Sequence, residues 1–259
     1  MRVPEKSPLT HKIARYISDS RVAVAFTGAG ISTESGIPDF RSPGGIWTRY
    51  QPVMFQDFLA SAQARRQYWL MKKEGYRELH GAKPNAGHRA LACLESSGKL
   101  AAVITQNIDG LHQDAGSRRV LELHGTSRYC LCLSCNARYE PETIQERLEG
   151  GEDIPLCHQC GGLLKSATVS FGQALPVEVL SEAVELCSNA DVVLAIGSSL
   201  VVEPAASLPL QAKQNGARLV IVNKTETPLD PIADVILREP IGQTLTEVVK
   251  LMGLSINDE

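Results

Sequence analysis

Short apolar runs alternate along the chain with stretches in which apolar residues return every three or four positions. Val22–Phe26, Ala101–Thr105, Val192–Ile196, Leu219–Val222 and Ala233–Leu237 are of the first kind and predict strands. Leu9, Ile13, Tyr16 and Ile17, with Pro8 ahead of them at a first helical position, predict a helix. Leu180, Ala183, Val184 and Cys187 repeat that spacing, as do Leu245, Val248, Val249 and Met252. Strands that are apolar throughout must be buried on both faces. Their alternation with helices predicts an α/β fold, a parallel sheet with helices on both faces.

Two segments break the alternation. Residues 43–82 carry aromatics and a helical pattern in "QARRQYWLMKKEGYREL", and residues 128–165 hold cysteines and little else that could build a core. Both are expected to be insertions into one nucleotide-binding domain. Gly28 and Gly30 follow the first strand where the chain must turn, as in a phosphate-binding turn. The continuation departs from a dinucleotide fingerprint. Thr33, Glu34, Ser35, Gly36 and Pro38 lead instead to the polar group Asp39-Phe40-Arg41. A turn that only cradles phosphate has no use for that long polar loop.

The 259 residues suffice for one large domain, or one large and one small. Hydrophobic residues at 43% and charged residues at 21% are ordinary for a protein with a packed core. A net charge of -3 gives no electrostatic footprint for direct nucleic-acid binding. The opening "MRVPEKSPLTHK" lacks the apolar stretch of a signal peptide, and "VVLAIGSSLVV" is too short and too polar to cross a bilayer. A cytoplasmic protein without membrane contact is the expectation.

Seven cysteines, an odd number, argue against a disulfide framework, and five of them lie between Cys130 and Cys160. Cys132 and Cys135 form one C-x2-C knuckle and Cys157 and Cys160 another, with twenty-one residues between them. That is close to zinc-ribbon spacing. Four thiolates fill a tetrahedral site and leave no place for water, so one structural Zn2+ is expected. Cys130 and His158 lie close by, but either would break the matched pattern.

"TQNIDGLHQDAG" follows the strand that ends at Thr105. Gln106, Asn107 and Asp109 therefore stand at a carboxyl strand end, where open α/β sheets bind ligands. Asn107 and Asp109, two positions apart on extended backbone, face the same side and suit a primary amide such as nicotinamide. An Asn-Asp turn capping a helix is the competing reading, and the local pattern leaves both open. His124 in "LELHG" has the pKa to take a proton near neutrality, although a His before a Gly is more often a hydrogen-bonded structural residue. It lies just before the cysteine module, at the expected junction of two domains, where clefts form. His11, His80, His88 and His112 lack a comparable setting, His88 lying within the helical "PNAGHRALACLE".

Taken in order, "GAGIS", "GIPDFRS", "GGIW", "PNAGH", "TQNIDGLH", "LHG", the paired knuckles, Phe171-Gly172, "GSSLVVEPA" and "VNKTETP" resemble the sirtuins, NAD-dependent protein deacylases. The resemblance runs from about residue 9 to about residue 250. It implies a Rossmann-like NAD-binding domain from residues 1–42, 83–127 and 166–259, and a small domain from the helical insertion 43–82 and the zinc-ribbon module 128–165. It implies a cleft between them for NAD and an acylated-lysine protein. Gly28, Ala29 and Gly30 would let backbone approach the pyrophosphate, and the loop through Asp39, Phe40 and Arg41 would close over the ribose as a lid. Gln106, Asn107, Ile108 and Asp109, with Ile37, resemble the nicotinamide pocket. Gly197, Ser198 and Ser199 match adenosine-side contacts, and Asn223 and Lys224 match ribose contacts. In the implied mechanism the acyl oxygen attacks the anomeric carbon as nicotinamide leaves, giving an alkylimidate. His124 is the implied base for the ribose hydroxyl, and water then yields lysine and 2′-O-acyl-ADP-ribose. Val169, Phe171 and Gly172, opposite Val202, Glu203 and Pro204, match the strands that pair with substrate backbone.

The chain departs from the family at Ser166, Ala167 and Gln173, beside the peptide strand. The family's desuccinylases carry a Tyr-x-x-Arg, whereas here Tyr68 is followed by Met71. A buried succinate would lack its charge partner, so acetyl or longer apolar acyl groups are expected. Mono-ADP-ribosyl transfer on the same fold, or a non-catalytic NAD sensor, are the alternative functions.

Overall fold

The computed structural model describes residues 8–39 and 45–256, with Ile46 and Trp47 as backbone alone. Phe40 and Arg41 lie outside the described residues. The strands are β1 (Ala23–Thr27), β2 (Ala102–Thr105), β3 (Val120–Glu122), β4 (Gly125–Cys132), β5 (Arg138–Tyr139), β6 (Leu164–Thr168), β7 (Val192–Ile196), β8 (Arg218–Val222) and β9 (Val235–Leu237). The helices are α1 (Pro8–Asp19), α2 (Ile46–Arg49), α3 (Phe55–Ala60), α4 (Ala62–His80) and α5 (Ala86–Ser96). They continue with α6 (Leu111–Asp114), α7 (Pro141–Glu149), α8 (Val177–Asn189), α9 (Ser207–Gln214) and α10 (Ile241–Leu251).

Six strands form one parallel sheet in the order β3-β2-β1-β7-β8-β9. Chain order runs outward from β1 on one side and from β7 on the other. The reversal between them opens a crevice at the carboxyl strand ends, where dinucleotides bind in sheets of this order. Successive residues of a strand point to opposite faces, and both faces are apolar here. Ala25, Val103, Leu194 and Val220 pack on Ile13 and Ile17 of α1, Leu91 and Leu94 of α5, and Val248 and Val249 of α10. Val24, Phe26, Ile104, Val193 and Ile221 pack on Ala183 and Cys187 of α8 and Leu208 and Ala212 of α9. The predicted α/β layering holds.

Strand edges differ from the pattern in two places. β9 begins at Val235 rather than Ala233, because Ala233 ends the 3-10 turn Asp230–Ile232. The Asp234 carboxylate, in between, accepts from Leu219 N and pairs with Lys213 and Arg218. β3 is too short for periodicity to reveal, yet Leu121 and Leu123 are buried in the second core layer.

The second sheet is antiparallel, in the order β5-β4-β6. β4 begins three residues before position 128 and β6 ends three after 165. The cysteine segment was expected to lack a core; the structure corrects this. Phe58 of α3 and Tyr68 and Trp69 of α4 pack with Ile144 and Leu148 of α7, Cys130, Cys132, Cys157 and Leu164. Residues distant in sequence share one apolar cluster, which neither segment displays alone. No helix among the described residues is long and apolar enough to cross a membrane.

Candidate active site and zinc-type cysteine centre

A cavity of about 770 Å³ lies where the carboxyl ends of β1, β2, β7 and β8 meet β4, β6 and α4. Of the cofactor- and peptide-side residues named from sequence that are described, all line it except Lys224, which is exposed.

The wall after β1 is the 3-10 turn Ala29–Ser35, ended by Gly36 at φ 86. Its glycines answer first to the protein itself. Gly28 N donates to Ile196 O at 3.0 Å and Gly30 N to Gly197 O at 2.8 Å. A Cβ on Gly30 would lie 2.7 Å from Gly197 Cα. The Gly28 amide is thus taken by the last residue of β7 and the Gly30 amide by the loop after it, and the glycines let the two loops touch.

After β2, Asn107 is buried and Asp109 partly so. Ser32 Oγ donates to Asp109 Oδ2 at 2.7 Å and accepts from Asn107 Nδ2 at 3.0 Å. Asp109 Oδ1 accepts from Leu111 N at 2.9 Å, so the turn reading and the site reading both describe it. Burial raises the Asp109 carboxyl above its usual range, and the bonds from Leu111 and Ser32 pull it back. Gln106 Nε2 donates to Ser198 Oγ at 2.7 Å, joining the loops after β2 and β7.

His124, half-buried after β3, bonds through Nδ1 to Gln106 O at 3.0 Å. A carbonyl only accepts, so Nδ1 carries the hydrogen and Nε2 keeps its lone pair. Burial lowers the His124 pKa and the Gln106 bond partly restores it. The ring is therefore neutral at pH 7, with Nε2 available as a base. On the peptide side, Val169 N donates to His124 O at 2.7 Å and Phe55 N to Phe171 O at 2.9 Å. Val169 and Phe171 thereby tie His124 and the start of α3 to the chain that follows β6.

The sulfurs of Cys132, Cys135, Cys157 and Cys160 all lie within 4.8 Å of one another. Ser134 N donates to Cys132 Sγ and Gly162 N to Cys160 Sγ, each at 3.4 Å. Thiols converging on one point, with amides directed at sulfur, fit a tetrahedral zinc ion. Cys130 and His158 stand outside the cluster, Cys130 in the apolar core and His158 edge-on to Tyr139.

Residues 28–204 match the Sir2 family. The chain belongs to the Sir2 family, the sirtuins. It is 46% identical over 241 residues to an NAD-dependent protein deacetylase of Thermodesulfovibrio yellowstonii, covering 93% of this chain and 94% of the relative. It is 42% identical to NAD-dependent protein deacylase 1 of Archaeoglobus fulgidus, over 93% of this chain and 97% of that one. A solved Sir2 structure with a p53 peptide and NAD+ superposes with a TM-score of 0.86 at 41% identity, covering 93% of this chain and 98% of that one. Another, with a deacetylated p53 peptide and 3′-O-acetyl ADP ribose, gives 0.89 at 42% identity, covering 94% and 98%.

Four further groups of this Sir2 fold belong to the site without a signal in the sequence. Ser32 is the hub between Asn107 and Asp109. His88, given no role, is wholly buried with Nε2 3.4 Å from Ser32 Oγ. His112 lies behind it, the rings 4.9 Å apart, with Nε2 2.9 Å from Thr27 Oγ1. Lys72 lines the cavity beside Tyr68, its Nζ 5.6 Å from the ring centroid. A cation therefore stands one residue beyond the missing arginine. The "H" of "PNAGH" was legible as lying within a helix, but nothing in the string placed it at the capping position or under Ser32.

Proposed function

We propose that this sirtuin is an NAD-dependent protein deacylase: it moves an acyl group from a protein lysine to the ADP-ribose part of NAD and releases nicotinamide. The His124 tautomer carries the reading. Gln106 O holds Nδ1–H, so the unprotonated Nε2 is the atom left to take a proton. Its neighbour in the same cavity is the Ser32–Asn107–Asp109 group, whose donors and carboxylate suit a carboxamide. Relatives named deacetylase and deacylase, and a solved Sir2 enzyme bound to acetylated peptide, support the substrate class.

The residues divide the work. Asp109 accepts from the nicotinamide amide, and Asn107, with a second amide hydrogen beyond the one given to Ser32, orients the ring with Ile37 and Ile108. His124 Nε2 takes the proton of a ribose hydroxyl, whose oxygen then forms the ester bond to the acyl carbon. Lysine leaves as the free amine, and one water balances the reaction. Gly197, Ser198 and Ser199 border the adenosine side, with Asn223 towards the ribose; Lys224, outside the cavity wall, is given no contact. Val169, Phe171, Gly172 and Val202 offer edges to extended substrate backbone. Cys132, Cys135, Cys157 and Cys160 hold one zinc ion whose role is structural, because the thiolates leave no open position.

Incubation with NAD and an acetyl-lysine peptide tests this, with products read by mass spectrometry. Peptide-dependent nicotinamide and O-acetyl-ADP-ribose are expected, the 2′ ester first. Label left on protein would favour ADP-ribosyl transfer, and absence of NAD turnover with every acylated peptide would overturn catalysis.

A further inference from the structure

His88 sits at the third position of α5 and closes a capping box with Asn85. Asn85 Oδ1 accepts from Gly87 N at 2.8 Å, and Asn85 N donates to His88 Nδ1 at 3.3 Å. An amide only donates, so Nδ1 is the acceptor nitrogen. The hydrogen of the neutral ring is then on Nε2, which faces Ser32 Oγ at 3.4 Å. Ser32 has one hydrogen, and Asp109 Oδ2 takes it at 2.7 Å. The serine oxygen therefore receives from Asn107 Nδ2 and from His88 Nε2. Each donor in this chain has one direction available to it. The order is Asn85 N–H to His88, His88 N–H to Ser32, Ser32 O–H to Asp109.

We propose that His88 is a positioning residue for the nicotinamide end of the cleft: its Nε2–H fixes the rotor of Ser32 so that the serine hydrogen points at Asp109. The inference rests on the proposed nicotinamide site. Burial pushes His88 down to about 4, with Arg89 adding to the effect, so the ring stays neutral and the direction of the chain does not change across the working pH range. Asn85 Nδ2 ties the same helix start to Ile31 O at 2.7 Å and Ser35 Oγ at 2.9 Å. The start of α5 thus braces the turn that carries Ser32 from both ends. Without the His88 donor the serine rotor loses one of its two incoming bonds, and the partly buried Asp109 loses a fixed partner.

Two substitutions separate this from simple helix capping. His88→Gln places an amide N–H near Nε2 and keeps the bond to Ser32, but gives up the acceptor at Nδ1. His88→Asn places an oxygen near Nδ1 and keeps the cap, but gives up the donor to Ser32. The zinc-loaded enzyme is assayed for incorporation of labelled nicotinamide into NAD in the presence of acetyl-lysine peptide, the reverse of the bond-breaking step. The Asn variant should need about tenfold more nicotinamide for half-maximal exchange, the size of one lost bond to a charged network, and the Gln variant should stay near wild type. In a Ser32→Ala background, which keeps the assay informative if a histidine variant folds poorly, His88→Asn should change nothing further. Equal losses in Gln and Asn, wild-type behaviour in Asn, or additivity with Ser32→Ala would each overturn the proposal and leave His88 as a cap. If the wild type exchanges no nicotinamide while zinc content and melting are normal, the underlying site reading fails, and the proposal with it.

Discussion

Gly30 and Gly197 meet backbone to backbone: the Gly30 amide donates to the Gly197 carbonyl at 2.8 Å, and a Cβ on Gly197 would lie 2.4 Å from Ile31 N. Gly197 also has φ +60, which side chains other than glycine rarely adopt. The contact closes the switch point between β1 and β7. Gly30→Ala should cost about 1–3 kcal/mol of stability by forcing these loops apart, and Gly197→Ala should cost more because strain adds to the clash. Urea unfolding at fixed zinc content checks both. The ranking is the sharper test, since a glycine kept only for phosphate approach would be stability-neutral when replaced.

His124→Ala should reduce acyl transfer by about 10²–10⁴-fold while zinc content stays at wild type, the range for loss of a general base. The pH profile carries a sign. The base works unprotonated, and burial lowers its pKa below the ordinary ~6.5. The acid limb of kcat/KM should therefore fall below pH 6.5, with a plateau through neutrality. A limb above that value would mean that His124 is stabilised as a cation, contrary to its setting.

Most of the sheet was legible because both-faces-buried strands such as Val192–Ile196 need no partner to be recognised. The two knuckles were legible because cysteine spacing is itself the geometry. The apolar cluster beside the antiparallel sheet was not, because Trp69 and Ile144 lie far apart in the chain and meet only in the fold. His88 and Lys72 were missed for a related reason. A histidine on a helix and a lysine beside an aromatic are ordinary on paper, and burial against Ser32 or Tyr68 is a tertiary fact. The glycine turn is legible as a turn, but the partner that dictates its size is Gly197, just past the end of β7 and far along the chain.

Two buried histidines make stability depend on acid. His88 is held down to about 4 and His112 well below its ordinary value, both mainly by burial. In the unfolded chain each would protonate near ~6.5. Their neutral burial therefore costs nothing above that value and destabilises progressively as pH falls from about 6.5 to about 4, where the folded state also protonates His88. For His88 alone the span is about 3 kcal/mol. Urea midpoints at pH 7.5 and 5 should differ accordingly, and His88→Gln should show a shallower dependence. Equal slopes for the two proteins would refute the assignment.

The expectation of apolar acyl groups rests on the missing arginine, and a second cation in the cavity wall puts it to the test. Lys72 lines the cavity beside Tyr68, and burial lowers its amine only to about 8, so it is mostly charged at pH 7. Lys165, buried nearby with its Nζ 5.8 Å from the same ring, is directed to the carbonyls of Ser166 and Thr168. Among the described residues, the amine left for a ligand, beside its contact with the Tyr68 ring, is that of Lys72. An acyl chain ending in a carboxylate should be accepted, and Lys72→Met should lower the ratio of desuccinylation to deacetylation by about tenfold, the worth of one charge-assisted contact. A ratio unchanged by the substitution would restore the neutral preference.

Zinc removal should reach the cleft as well as the cysteine module. Cys132 closes β4 and Cys157 packs in the cluster with Trp69 and Leu148, while β6 leads directly into Val169, whose amide holds the His124 carbonyl. A structural zinc ion contributes on the order of 10 kcal/mol to a module of this kind. Cys135→Ala, or a strong chelator, should therefore remove metal, expose Trp69 as a red shift in fluorescence, and abolish activity together. The six-stranded sheet should survive, because its two core layers contain none of the four cysteines. Far-ultraviolet dichroism should accordingly fall only in part. Retention of full activity in metal-free protein would show that the apolar cluster around Trp69 holds the small domain without the ion.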